Sequence, residues 1–294
     1  MANDGTPAAR AARARARRGR ARRAMETMTT EMATSRSFAE AAVEMGALEA
    51  ARRAVDGADD EETRTRARAL AETCARAASS IERTREERFG EVTVMVLETA
   101  LANGVGARLW RAARTMCARL AADASAIRGK RVLELGAGVG ACGILCAKLG
   151  ARAVVLSDFE EPLLDALERS IALNDVGDRC VVAAVDWRRE LRLERTPGAR
   201  ALDDADVFDI IIGTDVLYEK SHVDALPACI ARRLAPNGAC FLVNAERYAG
   251  AFDDFHTACT ARGLRVHHPE FDVDSSKAKD WHVGGARACV VTHL

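Results

Sequence analysis

The chain has 294 residues, of which 49% are hydrophobic and 29% are charged, and its formal net charge is zero. The length fits one domain with an extension or two small domains, and the composition is that of a soluble globular protein with a full core. The neutral charge balance gives no argument for nucleic-acid or membrane binding by the whole chain. The sequence contains no run of 18 apolar residues, so we expect no membrane-spanning helix.

Nine cysteines are scattered along the chain, and none forms a CxxC pair. Most of them lie in apolar runs, which indicates buried thiols in a reducing compartment. Cys142 and Cys146 are four residues apart on one predicted helix, but no histidine or third cysteine is near them in the sequence. The six histidines show no ligand spacing. We therefore expect no metal site.

Residues 1–36 are predicted to be a disordered tail, because the first 24 residues are a low-complexity run of alanine and arginine. Eight arginines and one acid give this run a charge of +7. Two functional interpretations stay open: an organelle transit peptide, and an electrostatic arm for nucleic acid that recognises no particular sequence. The run contains no serine, which weakens the first interpretation. Without targeting, we expect a cytoplasmic or nuclear location.

Residues 37–87 are predicted to form a helical extension. Ser37 is placed to cap its first helix. A second helix is predicted to begin near Asp59, where acids favour the positive end of the helix dipole, and to run to about Arg85. Residues 46–75 resemble a single armadillo-type repeat, which cannot bury its own apolar face. The open interpretations are a hairpin packed on the main domain, a weakly ordered extension and a partner-binding repeat.

Residues 88–294 are predicted to form one α/β domain. Its first strand lies within residues 88–99, where valines alternate with other residues. Residues 131–159 then read as strand, glycine-rich turn, helix and a second strand that ends at Asp158. This is the βαβ unit of a nucleotide-type cofactor site. Its glycines let the backbone approach a ligand closely, and a carboxylate about 20 residues later binds ribose hydroxyls.

Further apolar strands are predicted at residues 180–185, 208–213 and 239–244, and two more at 264–271 and 286–292. Strands that alternate with helices predict a parallel sheet with helices on both faces. The carboxyl ends of such strands meet at one rim, where ligands bind. The residues predicted at this rim are Glu134, Asp158, Asp186, Trp187, Thr214 and Asp215.

The predicted rim is acidic and carries an aromatic side chain. The pyrophosphate of a dinucleotide is an anion, which favours a site with fewer carboxylates. The methionine end of S-adenosylmethionine is cationic, which favours an acidic site. Glu134 is predicted to hold the ammonium of that ligand, directly or through water, and Asp158 to accept both ribose hydroxyls. Trp187 offers an aromatic face to the adenine or the sulfonium. The glycine spacing G-x-G-x-G also differs from the dinucleotide fingerprint.

The pattern resembles the class I, seven-strand methyltransferases and, within them, the family-16 lysine methyltransferases. The resemblance covers about residues 88–294 and rests on VLELGAGVG, on Asp158, on the DW pair at 186–187 and on DVLY at 215–218. It implies a Rossmann-like sheet of seven strands in the order 3-2-1-4-5-7-6, mostly parallel with the last strand antiparallel. It also implies S-adenosylmethionine as cofactor and a protein lysine as acceptor.

The resemblance also implies roles for single residues. Asp215 and Tyr218 would face the methyl acceptor, with Asp215 orienting the amine and Tyr218 supplying a hydroxyl acceptor or an aromatic wall. Gly106 and Trp110 occupy a G-x-x-x-W lead-in. The segment after the fifth strand, residues 244–247, matches the family only loosely. The residues expected along the cofactor are Trp110, Gly136, Ala137, Gly138, Asp158, Trp187 and Thr214, together with Glu134 and Asp186 from the rim.

Three functions stay open at this stage. The first is an S-adenosylmethionine-dependent N-methyltransferase that acts as a monomer on a protein lysine, with a small-molecule acceptor as a variant. The second is a nicotinamide-dependent oxidoreductase. The third is a non-catalytic interaction protein that uses the helical extension as its binder and the methyltransferase fold as a scaffold.

Overall fold

The computed structural model describes residues 7–80, 82–194, 196, 198, 200–268 and 286–294. Its contacts divide the chain into two compact units. The first unit is Met1–Arg83 with Thr99–Val105, and the second is Thr84–Glu98 with Gly106–Leu294. The predicted boundary between residues 87 and 88 lies close to this division.

The first unit is built from helices. They are α1 (Pro7–Thr34), α2 (Arg36–Glu44), α3 (Ala47–Asp56) and α4 (Glu61–Ser80). Their apolar side chains form a small core that includes Val43, Leu48, Leu70 and Cys74. The helical character predicted for residues 37–87 is therefore present over most of that range.

Helix α1 stands where the sequence predicted a disordered tail over residues 1–36. Alanine and arginine are among the strongest helix formers, so a run of both favours a helix even when its complexity is low. Near its end, Met25 and Met32 pack with the core of the unit. Arg22 contacts the carboxylate of Asp60 at 2.6 Å, which fixes α1 to the start of α4.

The helix starts in this unit depend on side-chain caps. Ser35 caps α2 and accepts a hydrogen bond from the backbone N–H of Phe38 at 3.3 Å. The prediction that Ser37 is this cap is wrong, because the helix already begins before it. The predicted acidic start of the following long helix is confirmed, since Asp60 accepts from the backbone N–H of Thr63 at 2.8 Å.

A hairpin of β1 (Arg83–Phe89) and β2 (Val92–Glu98) precedes the main sheet. The sequence predicted that the helix before it runs to about Arg85, but α4 ends at Ser80. Strand β1 is mostly charged and exposed, so it has no apolar alternation that would reveal a strand. Its pairing with the more apolar β2 accounts for its conformation.

The rest of the second unit alternates strands and helices. Its strands are β3 (Arg131–Leu135), β4 (Ala153–Asp158), β5 (Cys180–Ala184), β6 (Phe208–Thr214), β7 (Leu234–Ala245), β8 (Leu264–His267) and β9 (Ala286–His293). Its helices are α5 (Arg111–Ala122), α6 (Ala141–Lys148), α7 (Glu161–Leu173), α8 (Trp187–Leu191), α9 (His222–Arg233) and α10 (Ala251–Thr260). The part of the predicted sixth strand beyond residue 268 lies outside the described residues.

Among the described residues, these strands form one seven-stranded sheet in the order β5-β4-β3-β6-β7-β9-β8. The pairs from β5 to β7 are parallel, whereas β9 runs antiparallel to both β7 and β8. The predicted order 3-2-1-4-5-7-6, with its antiparallel last strand, is confirmed. The order reverses at β3, so the turn after β3 lies at the switch point where such sheets bind ligands.

Helices cover both faces of this sheet. Successive residues of β3 point to opposite faces: Val132 packs in one buried cluster with Ile144, and Leu133 packs in the other with Ile211 and Leu226. Buried strands of this kind read as continuous apolar runs, which is why the sequence identified them.

The turn predicted at residues 236–238 lies inside β7 as a bulge. Phe208 pairs with Leu234 and Ile210 pairs with Ala239, so residues 235–238 loop out between the two registers. All nine cysteines are buried and free, as predicted. In the ranges that the structure describes, no helix is long and apolar enough to span a membrane, and no three His, Cys, Asp or Glu side chains are grouped as metal ligands.

Candidate functional site

The turn after β3 forms the floor of the candidate site. Gly136 and Gly138 have left-handed backbones, with φ of 61° and 54°. A Cβ on Gly136 would lie 3.0 Å from Val216 and 3.3 Å from the indole of Trp187. A Cβ on Gly138 would lie 2.6 Å from the carbonyl oxygen of Gly106. The turn therefore needs glycine for its backbone and for its close neighbours.

Asp158, at the end of β4, joins that strand to the glycine turn. Its Oδ2 accepts a hydrogen bond from the backbone N–H of Gly138 at 3.0 Å, and its Oδ1 accepts from Phe159 at 2.8 Å. Burial raises the pKa of this carboxyl group, and the backbone N–H bonds act in the opposite direction. Ala137 lies in the same turn and donates to the carbonyl of Ser157 at 2.8 Å.

Glu134 lies inside the fold rather than at the open rim. Its side chain is 3% exposed, and its Oε2 accepts a hydrogen bond from the backbone N–H of Gly143 in the first turn of α6 at 2.8 Å. Burial raises the pKa of this carboxyl group to about 8. Its predicted role as the holder of an ammonium group stays a prediction, and the geometry favours a role in fixing α6 under the turn.

Asp186 and Trp187 are adjacent in sequence but have different surroundings. Asp186 caps α8 through the backbone N–H of Arg188 at 3.0 Å and pairs with that guanidinium at 2.9 Å. Burial acts to raise the pKa of Asp186, but the bonds from Arg188 prevail and the pKa lies below its ordinary value. Trp187 lies over Gly136, and its buried Nε1 has no hydrogen-bond partner among the described residues.

His222 completes an aromatic cluster that sequence reasoning missed. Its ring meets Trp187 edge-on at 5.1 Å between centroids and Tyr218 edge-on at 4.5 Å. Its Nδ1 lies 3.0 Å from the carbonyl oxygen of Val216, and burial lowers the pKa of the imidazole. No helical spacing indicated this contact, because α9 begins at His222 and Tyr218 lies in the loop before it. The cluster joins a predicted cofactor residue to a predicted acceptor residue.

Tyr218 lies in an acidic environment. Burial raises the pKa of its hydroxyl group to about 12, with further contributions from Asp158, Glu219, Glu160 and Asp215. Asp158 at the end of β4 and Asp215 after β6, which the sequence predicted at one rim, both act on this hydroxyl group.

Trp110 and Thr214 are at the edges of this arrangement. Trp110 is the N-cap residue of α5 and is 44% exposed, so it is not a buried wall of a pocket in this structure. Thr214 is the last residue of β6 and pairs in register with Val243 of β7. Their expected contacts with a cofactor stay predictions.

Asp215 makes an ion pair that the sequence did not predict. Its Oδ1 accepts from Nε of Arg247 at 3.0 Å, and its Oδ2 contacts Nη2 of the same guanidinium. The backbone of Asp215 is left-handed, with φ of 54°. Arg247 lies just after β7, where the sequence matched the family only loosely, so no motif indicated this contact.

Known proteins resemble this chain in sequence. The family model described as lysine methyltransferase matches residues 91–259, more than half of the chain. The chain is 31% identical over 178 residues to the protein-lysine N-methyltransferase EFM3 of Chaetomium thermophilum, covering 58% of this chain and 51% of that protein. It is 30% identical over 147 residues to the histidine protein methyltransferase 1 homolog of Dictyostelium discoideum, covering 49% and 44%. The chain thus spans about half the length of these curated relatives.

The fold is also found among solved structures. The 16S rRNA N2 G1207 methyltransferase RsmC of T. thermophilus, in complex with AdoMet and guanosine, has a TM-score of 0.50 and 18% identity, covering 73% of this chain and 51% of that chain. At this identity the likeness shows a shared fold. The sequence match is more specific, because the family model spans β2 to α10 and includes the glycine turn, Asp158 and the Asp215–Tyr218 segment. The chain therefore belongs to the lysine methyltransferase family.

Proposed function

We propose that this chain is an S-adenosylmethionine-dependent N-methyltransferase that acts on a lysine side chain of a protein. The observation that carries the proposal is the glycine turn at the switch point of the sheet, bonded to Asp158 on one side and covered by Trp187 on the other. Membership of the lysine methyltransferase family supports both the reaction and the type of acceptor.

The residues of the site fit S-adenosylmethionine. A Cβ at Gly136 would lie 3.0 Å from Val216 and 3.3 Å from Trp187, so glycine lets the backbone of the turn lie directly against an aromatic side chain that can face the adenine or the sulfonium. Asp158 accepts backbone N–H groups from Gly138, Phe159 and Glu160, and a carboxylate has capacity for about four hydrogen bonds, so one from a ribose hydroxyl can be added. The carboxylates around Tyr218 suit a ligand with a cationic end.

When bound, S-adenosylmethionine supplies a methyl group that is activated by the sulfonium. The protein has to bind the acceptor amine in its neutral form, hold it about 3–3.5 Å from the methyl carbon and exclude water. Tyr218 and Asp215 are the candidate groups on the acceptor side. Trp187 and His222 form the aromatic wall between that side and the glycine turn.

Binding of S-adenosylmethionine is tested by calorimetry on the full chain. Asp158→Asn keeps the shape of the side chain but removes its charge, and we expect an affinity at least about tenfold lower because charge-assisted hydrogen bonds to the ribose are lost. Asp178→Asn is the matched control, since that side chain is 69% exposed. Unchanged affinity in Asp158→Asn would contradict the proposed cofactor site.

The acceptor is tested by transfer of a labelled methyl group into cell lysate, followed by mass spectrometry of the labelled band. We expect the label on the Nζ atom of a lysine. One relative is named a histidine protein methyltransferase, so the fragment masses have to separate lysine from histidine. Label on histidine alone would overturn the acceptor, and no label in any macromolecule would favour a small-molecule acceptor or a non-catalytic protein.

A further inference from the structure

The ion pair between Asp215 and Arg247 has the geometry of a two-point contact. Nε of the guanidinium donates to Oδ1 at 3.0 Å, and Nη2 contacts Oδ2. The side chain of Asp215 is 9% exposed and that of Arg247 is 23% exposed. Paired contacts of this kind fix orientation as well as charge. Asp215 is therefore held in one orientation, and its negative charge has a partner in the protein.

The backbone around Asp215 is held in place from β7. Asp215 adopts φ of 54°, which is unfavourable for a residue with a side chain. Its N–H donates to the carbonyl of Val243 at 2.8 Å, and the N–H of Val216 donates to the side chain of Asn244 at 2.7 Å. Backbone strain that neighbouring contacts enforce is typical of functional positions. Arg247 is thus part of a set of contacts that present the carboxylate of Asp215.

The charged surroundings of this carboxylate are mixed. Arg247 reaches it from the segment after β7, and Tyr218 lies on the segment after β6. The carboxylates that act on Tyr218 together with Asp215 are Asp158, Glu160 and Glu219. The surrounding acids give the site a negative potential that Arg247 partly offsets.

This potential matters for the acceptor. A lysine ammonium has a pKa of about 10.4 and carries no lone pair, so it must lose a proton before it can attack. A carboxylate without a partner beside it would stabilise the ammonium and raise its pKa by about 1–3 units. A carboxylate paired with a guanidinium has little net charge, yet its remaining lone pairs still accept an N–H.

We propose that Arg247 is a positioning residue that neutralises Asp215, so that Asp215 orients the amine of the bound acceptor lysine without raising its pKa. The proton passes to water, and the nitrogen keeps the electron pair. That pair then forms the bond to the methyl carbon, while the electrons of the methyl–sulfur bond stay on sulfur. This inference rests on the proposed lysine methyltransferase activity.

The first test is the pH dependence of the bound complex. The acceptor protein identified by the labelled band is purified and methylated in single turnover, with enzyme in excess, from pH 6.5 to 10. In Arg247→Gln we expect the rising limb of the pH–rate profile to move about one pH unit to higher pH. The rate should be about tenfold lower than that of wild type at pH 7 and should equal it at pH 10. Arg247→Lys, which keeps the positive charge, should restore most of the wild-type profile.

Two further variants separate charge from structure. The double variant Asp215→Asn with Arg247→Gln carries neither the carboxylate nor the guanidinium, so nothing at these positions raises the pKa of the lysine. The rising limb of its pH–rate profile should return to its wild-type pH even if the rate is lower. Arg200→Gln is the matched control, since Arg200 is 25% exposed and also pairs with carboxylates. A rate that falls equally at every pH in Arg247→Gln would overturn the proposal and leave Arg247 a structural role.

The second test needs no turnover. Binding of the same acceptor to the complex with S-adenosylhomocysteine is measured by calorimetry at pH 8 in two buffers that differ in ionisation enthalpy. We expect wild type to release more protons on binding than Arg247→Gln, and equal release would contradict the proposal. If wild-type protein labels no acceptor at any pH, the proposed function fails instead, and the two failures are distinguished.

Discussion

Glycines with a left-handed backbone occur in both units, but their surroundings differ. Gly46 links α2 and α3 with φ of 89°, and a Cβ added there would meet nothing within 4 Å. Gly138, in the turn after β3, has φ of 54°, and a Cβ there would lie 2.6 Å from the carbonyl oxygen of Gly106. Both positions favour glycine for backbone reasons, but only Gly138 lacks room for a side chain. The close approach of two backbone segments, more than the positive φ, therefore distinguishes the functional turn.

Ion pairs differ between the units in a similar way. Arg66 and Glu62 in the first unit pair at 2.8 Å with 34% and 54% of their side chains exposed. Arg233 and Glu190 in the second unit pair at 2.7 Å with 1% of each exposed. Water screens the first pair and is excluded from the second. Similar distances thus correspond to very different consequences when one partner is removed.

The glycine comparison predicts the largest effect. In Gly138→Ala the new methyl group would overlap the backbone of Gly106, so we expect the turn to be displaced and S-adenosylmethionine binding to fall more than about a hundredfold. Gly46→Ala should lower the free energy of unfolding by only about 1–2 kcal/mol and leave binding unchanged. Calorimetry and urea unfolding of the two variants decide between these outcomes. Equal effects of both substitutions would contradict this difference between the two glycines.

Breaking the buried ion pair between Arg233 and Glu190 is expected to have the next largest effect, a loss of stability. Arg233→Met leaves the carboxylate of Glu190 in the interior, and we expect the free energy of unfolding to fall by about 3 kcal/mol. This value is at the low end of the roughly 3–5 kcal/mol that breaking a buried ion pair costs, because Arg232 lies 3.1 Å from the same carboxylate. Arg66→Met in the first unit should change stability by less than about 0.5 kcal/mol. A loss below about 1 kcal/mol in Arg233→Met, by urea unfolding, would mean that Arg232 takes over as partner.

The two units also differ in how far their sequences reveal them. The sheet order of the second unit follows from apolar strands, a glycine turn and the acid at the end of β4, all of which are local signals. The first unit has no such motif. Helix α1 was predicted to be disordered because its composition is biased, although alanine and arginine are both strong helix formers. Strand β1 was missed because its residues are charged and exposed.

Within the site, sequence reasoning identified residue types better than their contacts. Asp158 lies at the predicted strand end, but its bond to the N–H of Gly138 depends on the fold. Asp186 was predicted to face a cofactor, whereas its carboxylate is engaged by Arg188. Arg247 is distant in sequence from Asp215, so their pairing could be found only in three dimensions. Side-chain partners across strands are the part of a site that a single sequence does not determine.

Glu134 predicts a pH-dependent effect of intermediate size. Its pKa is raised from 4.5 to about 8 by burial, so its stabilising contribution is fully present below pH 4.5 and is lost as the pH rises to about 8. Glu134→Gln resembles the protonated form and keeps an acceptor for Gly143. We expect the variant to differ least from wild type near pH 4 and to have the higher free energy of unfolding at pH 8, because only wild type has to ionise a buried carboxyl group as the pH rises. Urea unfolding at both pH values measures this.

The same variant tests the role that the sequence predicted for Glu134. If its carboxylate holds the ammonium of S-adenosylmethionine, Glu134→Gln should bind that ligand more than about tenfold more weakly. The buried geometry leads us to expect a change of less than about threefold instead. Glu168→Gln is a suitable control for both measurements, since that side chain is 54% exposed and pairs with Arg200 outside the glycine turn.

Helix caps provide the smallest predicted effects and compare the units directly. Ser35 accepts from Phe38 at the start of α2, and Asp186 accepts from Arg188 at the start of α8. Replacing either cap by alanine should lower the free energy of unfolding by about 1 kcal/mol, because one N-terminal N–H loses its acceptor. Only Asp186 is also a predicted cofactor residue. Because Arg188 already engages its carboxylate, we expect Asp186→Ala to change the affinity for S-adenosylmethionine less than about threefold; a larger loss, measured by calorimetry, would restore Asp186 to the cofactor site.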